Sequence, residues 1–137
     1  MKPTIYIAGS YSAKEYLAGQ AERLAVVGYS VISTWLRSAG EMAWDEASRE
    51  RRRAIAEGDL NELSVANLVI VDATVPSTGG GYHFEAGVAH GQSIELWLVA
   101  DGPVSGFLEY AANRIFPDWD AAMTALRQVY AEENKPW

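Results

Sequence analysis

Six side chains in this 137-residue chain combine the residue types and positions that chemistry requires: Tyr6, Ser10, Asp59, Asp72, Ser77 and Glu85. Carboxylates gathered in a cleft suit reactions that pass through an oxocarbenium-like state. One carboxylate stabilises or attacks the sugar carbon, and another manages the leaving group's proton. Glu85 stands out among the six, because it lies between Phe84 and Ala86 in a stretch flanked by small residues rather than on a charged face. The plainer alternative is that Glu85 satisfies the free N–H groups at a helix start. The residues alone leave both roles open.

Positioning these groups requires strands that end beside them. The apolar run Leu68-Val69-Ile70-Val71-Asp72 leads into Pro76-Ser77-Thr78-Gly79-Gly80-Gly81 and then Tyr82 to Gly91, which reads as strand, glycine loop and helix. Gly79 to Gly81 allow the backbone to approach a ligand, and the N–H groups of the following helix start favour a polar or negative partner. Asp72 falls at the carboxyl end of its strand, where open parallel sheets meet their ligands. Thr4-Ile5-Tyr6-Ile7-Ala8 is a buried first strand that stops at Gly9-Ser10. Ser12 to Glu15 has capping-box spacing, Leu17, Ala21, Leu24 and Ala25 form a helix face ending at Gly28, and Tyr29 to Trp35 is a second strand. The economical reading is a right-handed βαβ unit with Gly9 to Ser12 at the carboxyl end of its first strand.

Leu36 to Trp44 reads as a loop or lid, and Asp45 to Ser64 as a long helix. Ile55, Leu60 and Leu63 are expected to face the core, and Asp59 is either a surface charge or turned into the cleft. The arginines Arg49, Arg51, Arg52 and Arg53 alternate with glutamates, the pattern of a solvated face or an interface. Ile94 to Ala100 and Arg114 to Phe116 supply further strands, Gly106 to Asn113 is ambiguous, and a last helix starts at Pro117-Asp118. The tail from Glu132 to Trp137 is expected to be loose. The alternation implies a three-layer α/β fold, Rossmann- or flavodoxin-like, with four or five parallel strands and helices on both faces. Residues 1–137 form one domain.

Composition narrows the functions. A net charge of −7 argues against a nucleic-acid polymer as partner and leaves a small molecule. With no Cys, and with His83 and His90 seven residues apart, neither a metal site nor a disulfide framework is expected. The phosphate-binding Gly-x-x-x-x-Gly-Lys-Ser/Thr loop, the Gly-x-Gly-x-x-Gly turn after the first strand and the Gly-x-Ser-x-Gly elbow are all missing from the sequence, and no cofactor is expected. No membrane-length apolar run and no signal-peptide pattern occur, so a cytoplasmic location without membrane attachment is expected. Five Trp and seven Tyr in so short a chain suggest aromatics left at the surface, hence a homo-oligomer, dimer or higher.

Three segments in register resemble the nucleoside 2-deoxyribosyltransferase family and the related 2'-deoxynucleoside 5'-phosphate N-hydrolases. They are Ile5-Tyr6-Ile7-Ala8-Gly9-Ser10, Gly58-Asp59-Leu60-Asn61-Glu62-Leu63 with Asn67 to Asp72 behind it, and Ser77 to Gly87 with Val88-Ala89. The resemblance implies cleavage or transfer at the N-glycosidic bond of a nucleoside or its 5'-monophosphate. It implies Glu85 as the nucleophile on C1', Tyr6 as the residue that orients it, and Asp59 beside the base, assisting its departure. Gly9, Ser10, Ser77 and the loop glycines Gly79 and Gly81 match residues that hold a 5'-phosphate in the hydrolase branch, and a neighbouring subunit is implied to complete the site. One departure is Gly79 itself, where the transferases carry an acidic residue.

Overall fold

In the computed structural model, which describes residues 2–37, 48–77 and 79–130, every strand is short, and the side chains of the three central ones alternate between two packed faces. The first strand, β1 (Thr4–Ala8), sends Ile5 and Ile7 to one side. There they meet Leu17 and Leu24 of α1 (Lys14–Val26) and Trp119 and Leu126 of α5 (Trp119–Tyr130). Tyr6 and Ala8 point the other way, toward Leu63 of α2 (Arg49–Ser64), Tyr82 and Ala86 of α3 (Gly81–Gly91), and Leu108 of α4 (Gly106–Ala111). This is the three-layer arrangement the sequence implies. A fully buried aliphatic or aromatic side chain contributes about 1.5–3 kcal/mol, so the two faces together supply most of the drive to fold.

Five strands form one parallel sheet in the order β2-β1-β3-β4-β5, with β2 at Ser30–Val31, β3 at Leu68–Asp72, β4 at Glu95–Val99 and β5 at Arg114–Phe116. β3 is central and buried along its whole length, as a continuous apolar run requires when helices cover both faces. The chain leaves β1 to one side toward β2 and returns on the other side at β3. That reversal opens a crevice at the carboxyl ends of β1 and β3, the position where sheets of this order bind ligands.

Three local expectations change. The Ser12 capping box does not form: Ser12 lies in a 3-10 turn (Tyr11–Ala13), its Oγ is 2.9 Å from Ser10 Oγ, and α1 begins at Lys14. The second strand stops early, because Ser33 Oγ takes the Ile7 N–H at 2.6 Å and the chain coils into a second 3-10 turn, Thr34–Leu36. Helix α2 starts at Arg49, with Ser48 Oγ accepting from Arg51 N at 3.1 Å. Ile55 is solvent-accessible and Leu60 half-buried, so Leu63 alone of the three expected core residues is fully buried. The ambiguous stretch after Ser105 is the short helix α4. The lid beyond Arg37, the start of the helical stretch at 45–47, and the tail lie outside the described residues. Among the described residues, no helix is long and apolar enough to cross a membrane.

Candidate active site

The crevice is a cavity of about 780 Å³, and its walls come from four separated segments. β1 contributes Tyr6, and the turn after it Gly9 and Ser10. From α2 comes Asp59, and from the β3–α3 loop and α3 come Ser77, Gly79, Gly81 and Glu85. Eight of the nine residues singled out in the sequence therefore line one space.

Local structure explains how Glu85 is delivered. Gly80 caps α3 with φ of 74°, a left-handed conformation that suits glycine, and its N–H donates to Ser77 Oγ at 2.9 Å. Helix α3 buries Tyr82, Ala86 and Ala89. Glu85, three residues after Tyr82 and beside Ala86, therefore lies at the edge of the buried stripe, where it borders both the core and the cavity. Its carboxylate accepts a hydrogen bond from the Tyr6 hydroxyl. The helix-start role is thereby set aside, since Glu85 is engaged by a strand on the far wall rather than by the first turn of its own helix.

Burial dominates the electrostatics. Glu85 is pushed up to about 7, first by loss of solvent and also by the charge of Asp59, with the Tyr6 hydrogen bond pulling the other way. Burial and the neighbouring Glu62 carboxylate raise Asp59 to about 6. The Tyr6 hydroxyl, wholly enclosed, is driven far above its usual value by burial and by the charges of Glu85 and Asp59, so it remains a donor. Two interacting carboxylates that titrate near neutrality, one fixed by a permanent donor, can divide the tasks of attacking group and proton carrier.

Asp72 is the predicted site residue that stands apart from the cavity lining. It is 2% exposed; one oxygen accepts from Thr74 N at 2.8 Å and Thr74 Oγ1 at 2.6 Å, and the other from Trp119 Nε1 at 2.7 Å. It shapes the start of the loop and ties α5 to the sheet. Gly9 packs beside it, and a Cβ added there would lie 2.4 Å from Leu17 Cδ1 and 3.5 Å from the Asp72 carbonyl. Sequence reasoning missed Thr34, Trp35, Arg51 and Glu62, which also line the cavity. Mixed charge hides Arg51, and Trp35 has the pattern of a strand end. Glu62 carried a usable signal, being three residues after Asp59 on the same helix.

Comparison with known proteins identifies the family. The family model described as nucleoside 2-deoxyribosyltransferase matches residues 5–116. Similar solved structures include a 2-deoxyribosyltransferase from the psychrotolerant bacterium Bacillus psychrosaccharolyticus, with a TM-score of 0.74, 19% identity and 94% of each chain covered. A conserved protein from Enterococcus faecalis V583 gives 0.68 at 14% identity, covering 93% of this chain and 99% of its own. The CMP N-glycosidase of Clostridium botulinum gives 0.58 at 15% identity, covering 88% and 97%. At such identities these structures speak for the fold, and no curated protein sequence matches the chain. With the family model spanning both strands and both helices that build the cavity, the chain belongs to the nucleoside 2-deoxyribosyltransferase family.

Proposed function

We propose that the protein cleaves, or transfers across, the N-glycosidic bond of a deoxynucleoside or a nucleoside 5'-monophosphate, with Glu85 as nucleophile. The observation that carries this reading is the Glu85 carboxylate, half-buried at the cavity wall and held by the Tyr6 hydroxyl, with Asp59 lining the same cavity. A ring carbon losing its base develops positive charge, and a carboxylate fixed beside it stabilises that charge and captures it. A Glu85 oxygen bonds to C1', the C1'–N bond breaks, and its electron pair departs with the base. Protonated Asp59 supplies the proton that a poor leaving base requires. Water or a second base then attacks C1', loses its proton, and restores the free carboxylate. Tyr6 keeps the attacking oxygen aimed while burial keeps water from competing at the wrong step.

The hydroxyls of Ser10 and Ser77, with Gly9, Gly79 and Gly81, give the loop side of the cavity donors suited to sugar hydroxyls or a 5'-phosphate. The chemistry needs no cofactor or metal ion. Incubation with a panel of deoxynucleosides and nucleoside 5'-monophosphates, with and without an acceptor base, tests the reading. Free base without acceptor indicates hydrolysis, and a new nucleoside with acceptor indicates transfer. Binding of nucleotides with no base released from any substrate would leave a non-catalytic nucleotide-binding module and refute the proposal.

A further inference from the structure

Glu62 takes no part in the steps above, yet it lines the same cavity three residues after Asp59 on α2. We infer that Glu62 is a positioning residue: its carboxylate clasps the Thr34–Trp35 wall to α2 and so fixes Asp59 over the cavity, a role that rests on the glycosidic reading for its catalytic meaning. Both carboxylate oxygens are engaged. Oε1 accepts from Thr34 N at 3.1 Å and Oε2 from Thr34 Oγ1 at 2.6 Å. The turn that carries Thr34 is fastened on its other side to β1, where Ser33 Oγ accepts from Ile7 N at 2.6 Å and Trp35 Nε1 donates to the Ile7 carbonyl at 2.8 Å. Through this chain of contacts the sheet, the Trp35 indole and α2 become one frame around the cavity.

The clasp acts where α2 lines the cavity rather than where it enters the core. Of the 16 residues of α2 only Leu63 is fully buried, so the helix's apolar burial is concentrated in its last turn, and Glu62 beside it adds a polar tie to the cavity wall. Hydrogen bonds to an ionised acceptor are about twice as strong as neutral ones, which suits a clasp at the protein surface. The same carboxylate also acts by charge. Asp59 faces Tyr6 from β1 and Glu85 from α3 across the cavity, with Arg51 and Glu62 on its own helix. After burial, the Glu62 charge is what raises Asp59 to about 6. Glu62 thus sets both where the proton carrier stands and how long it keeps its proton.

Two variants test this. Glu62→Gln keeps the shape and an acceptor oxygen but removes the charge, so Asp59 should lose its proton at lower pH. At alkaline pH kcat/KM for a poor leaving base should fall about threefold or more, the loss that a half-unit downward shift of the Asp59 carboxyl produces, while that for a good leaving base holds. Glu62→Ala also breaks the clasp, and KM should rise about tenfold with kcat changing less, because the Trp35 wall and α2 are no longer joined. A merely structural role would lower the melting temperature and the folded fraction while leaving the ratio of rates for poor and good leaving bases, and KM per folded molecule, untouched. That result in both variants would overturn the inference. Carbon-13 titration of the Asp59 carboxyl by NMR in parent and Glu62→Gln needs no substrate. A fall in the Asp59 midpoint supports the coupling and an unchanged midpoint refutes it, even if the parent were to release no base.

Discussion

Replacing Glu85 by Gln should stabilise the fold above neutral pH while abolishing turnover. An ordinary glutamate titrates at 4.5, and Glu85 at about 7. At about 1.36 kcal/mol per pH unit, this gap corresponds to about 3 kcal/mol of folding stability. The sign follows from proton binding. Between 4.5 and about 7 the folded protein holds a proton that the unfolded chain has released, so stability is full below 4.5 and is lost as pH rises through about 7. Gln carries no charge at any pH and escapes the loss, while its amide oxygen still accepts from Tyr6. At about 3–5 °C per kcal/mol for a chain of this size, the variant should melt roughly 10 °C above the parent at alkaline pH and level with it in acid. Thermal melts of both proteins across this range provide the assay, with base release measured on the same samples. Turnover should fall by several orders of magnitude, since the attacking group is gone. A melting difference independent of pH would refute the reasoning about burial, and near-normal turnover would refute Glu85 as nucleophile.

Asp59→Asn should slow substrates with poor leaving bases by about 10²–10⁴-fold, the usual worth of a placed proton donor, and substrates with good ones much less; competition kinetics on a matched pair reads the ratio. Tyr6→Phe removes the donor that pulls Glu85 down, so with a substrate whose base leaves without help from Asp59 the acid limb of the rate should move to higher pH; a pH–rate profile checks the direction. Gly9→Ala forces the buried Leu17 side chain aside and should destabilise by about 1–3 kcal/mol in chemical denaturation. Sedimentation at micromolar concentration should show at least a dimer, because the adjoining helices α3 and α4 leave Phe84, Phe107 and Tyr110 63%, 89% and 79% exposed; a pure monomer would count against it.

The sequence is most legible where one strong local rule acts alone. Buried parallel strands have to be apolar throughout, so β3 and β4 stand out within a residue or two of their observed limits, and the glycine loop after β3 announces α3. It is least legible where a distant partner decides. Ser33 looks like a strand residue, but the Ile7 N–H captures its hydroxyl and ends β2 after two residues. Ser12 has capping spacing yet turns to Ser10 instead. Ile55 fits a core stripe on α2, and only the placement of that helix beside the crevice makes it a cavity residue. The pairing of Tyr6 with Glu85 spans 79 positions and is implied by family resemblance rather than by any local pattern.

The fate of Asp72 bears on how mutagenesis of this protein is interpreted. Its side chain is held by Thr74 and Trp119, one layer beneath the ligand space, and its backbone carbonyl packs against Gly9. Substituting it by Ala would leave the Trp119 indole N–H unsatisfied in a buried setting, costing about 1–3 kcal/mol, and loosen the loop that leads to Ser77. A survey scoring activity per milligram would rank such a change beside those at Asp59 and Glu85 and count a third catalytic carboxylate. Normalising to the folded fraction separates them: the Asp72 variant should recover much of its rate as temperature is lowered, whereas under the proposed mechanism variants at Asp59 and Glu85 should remain slow however well they fold.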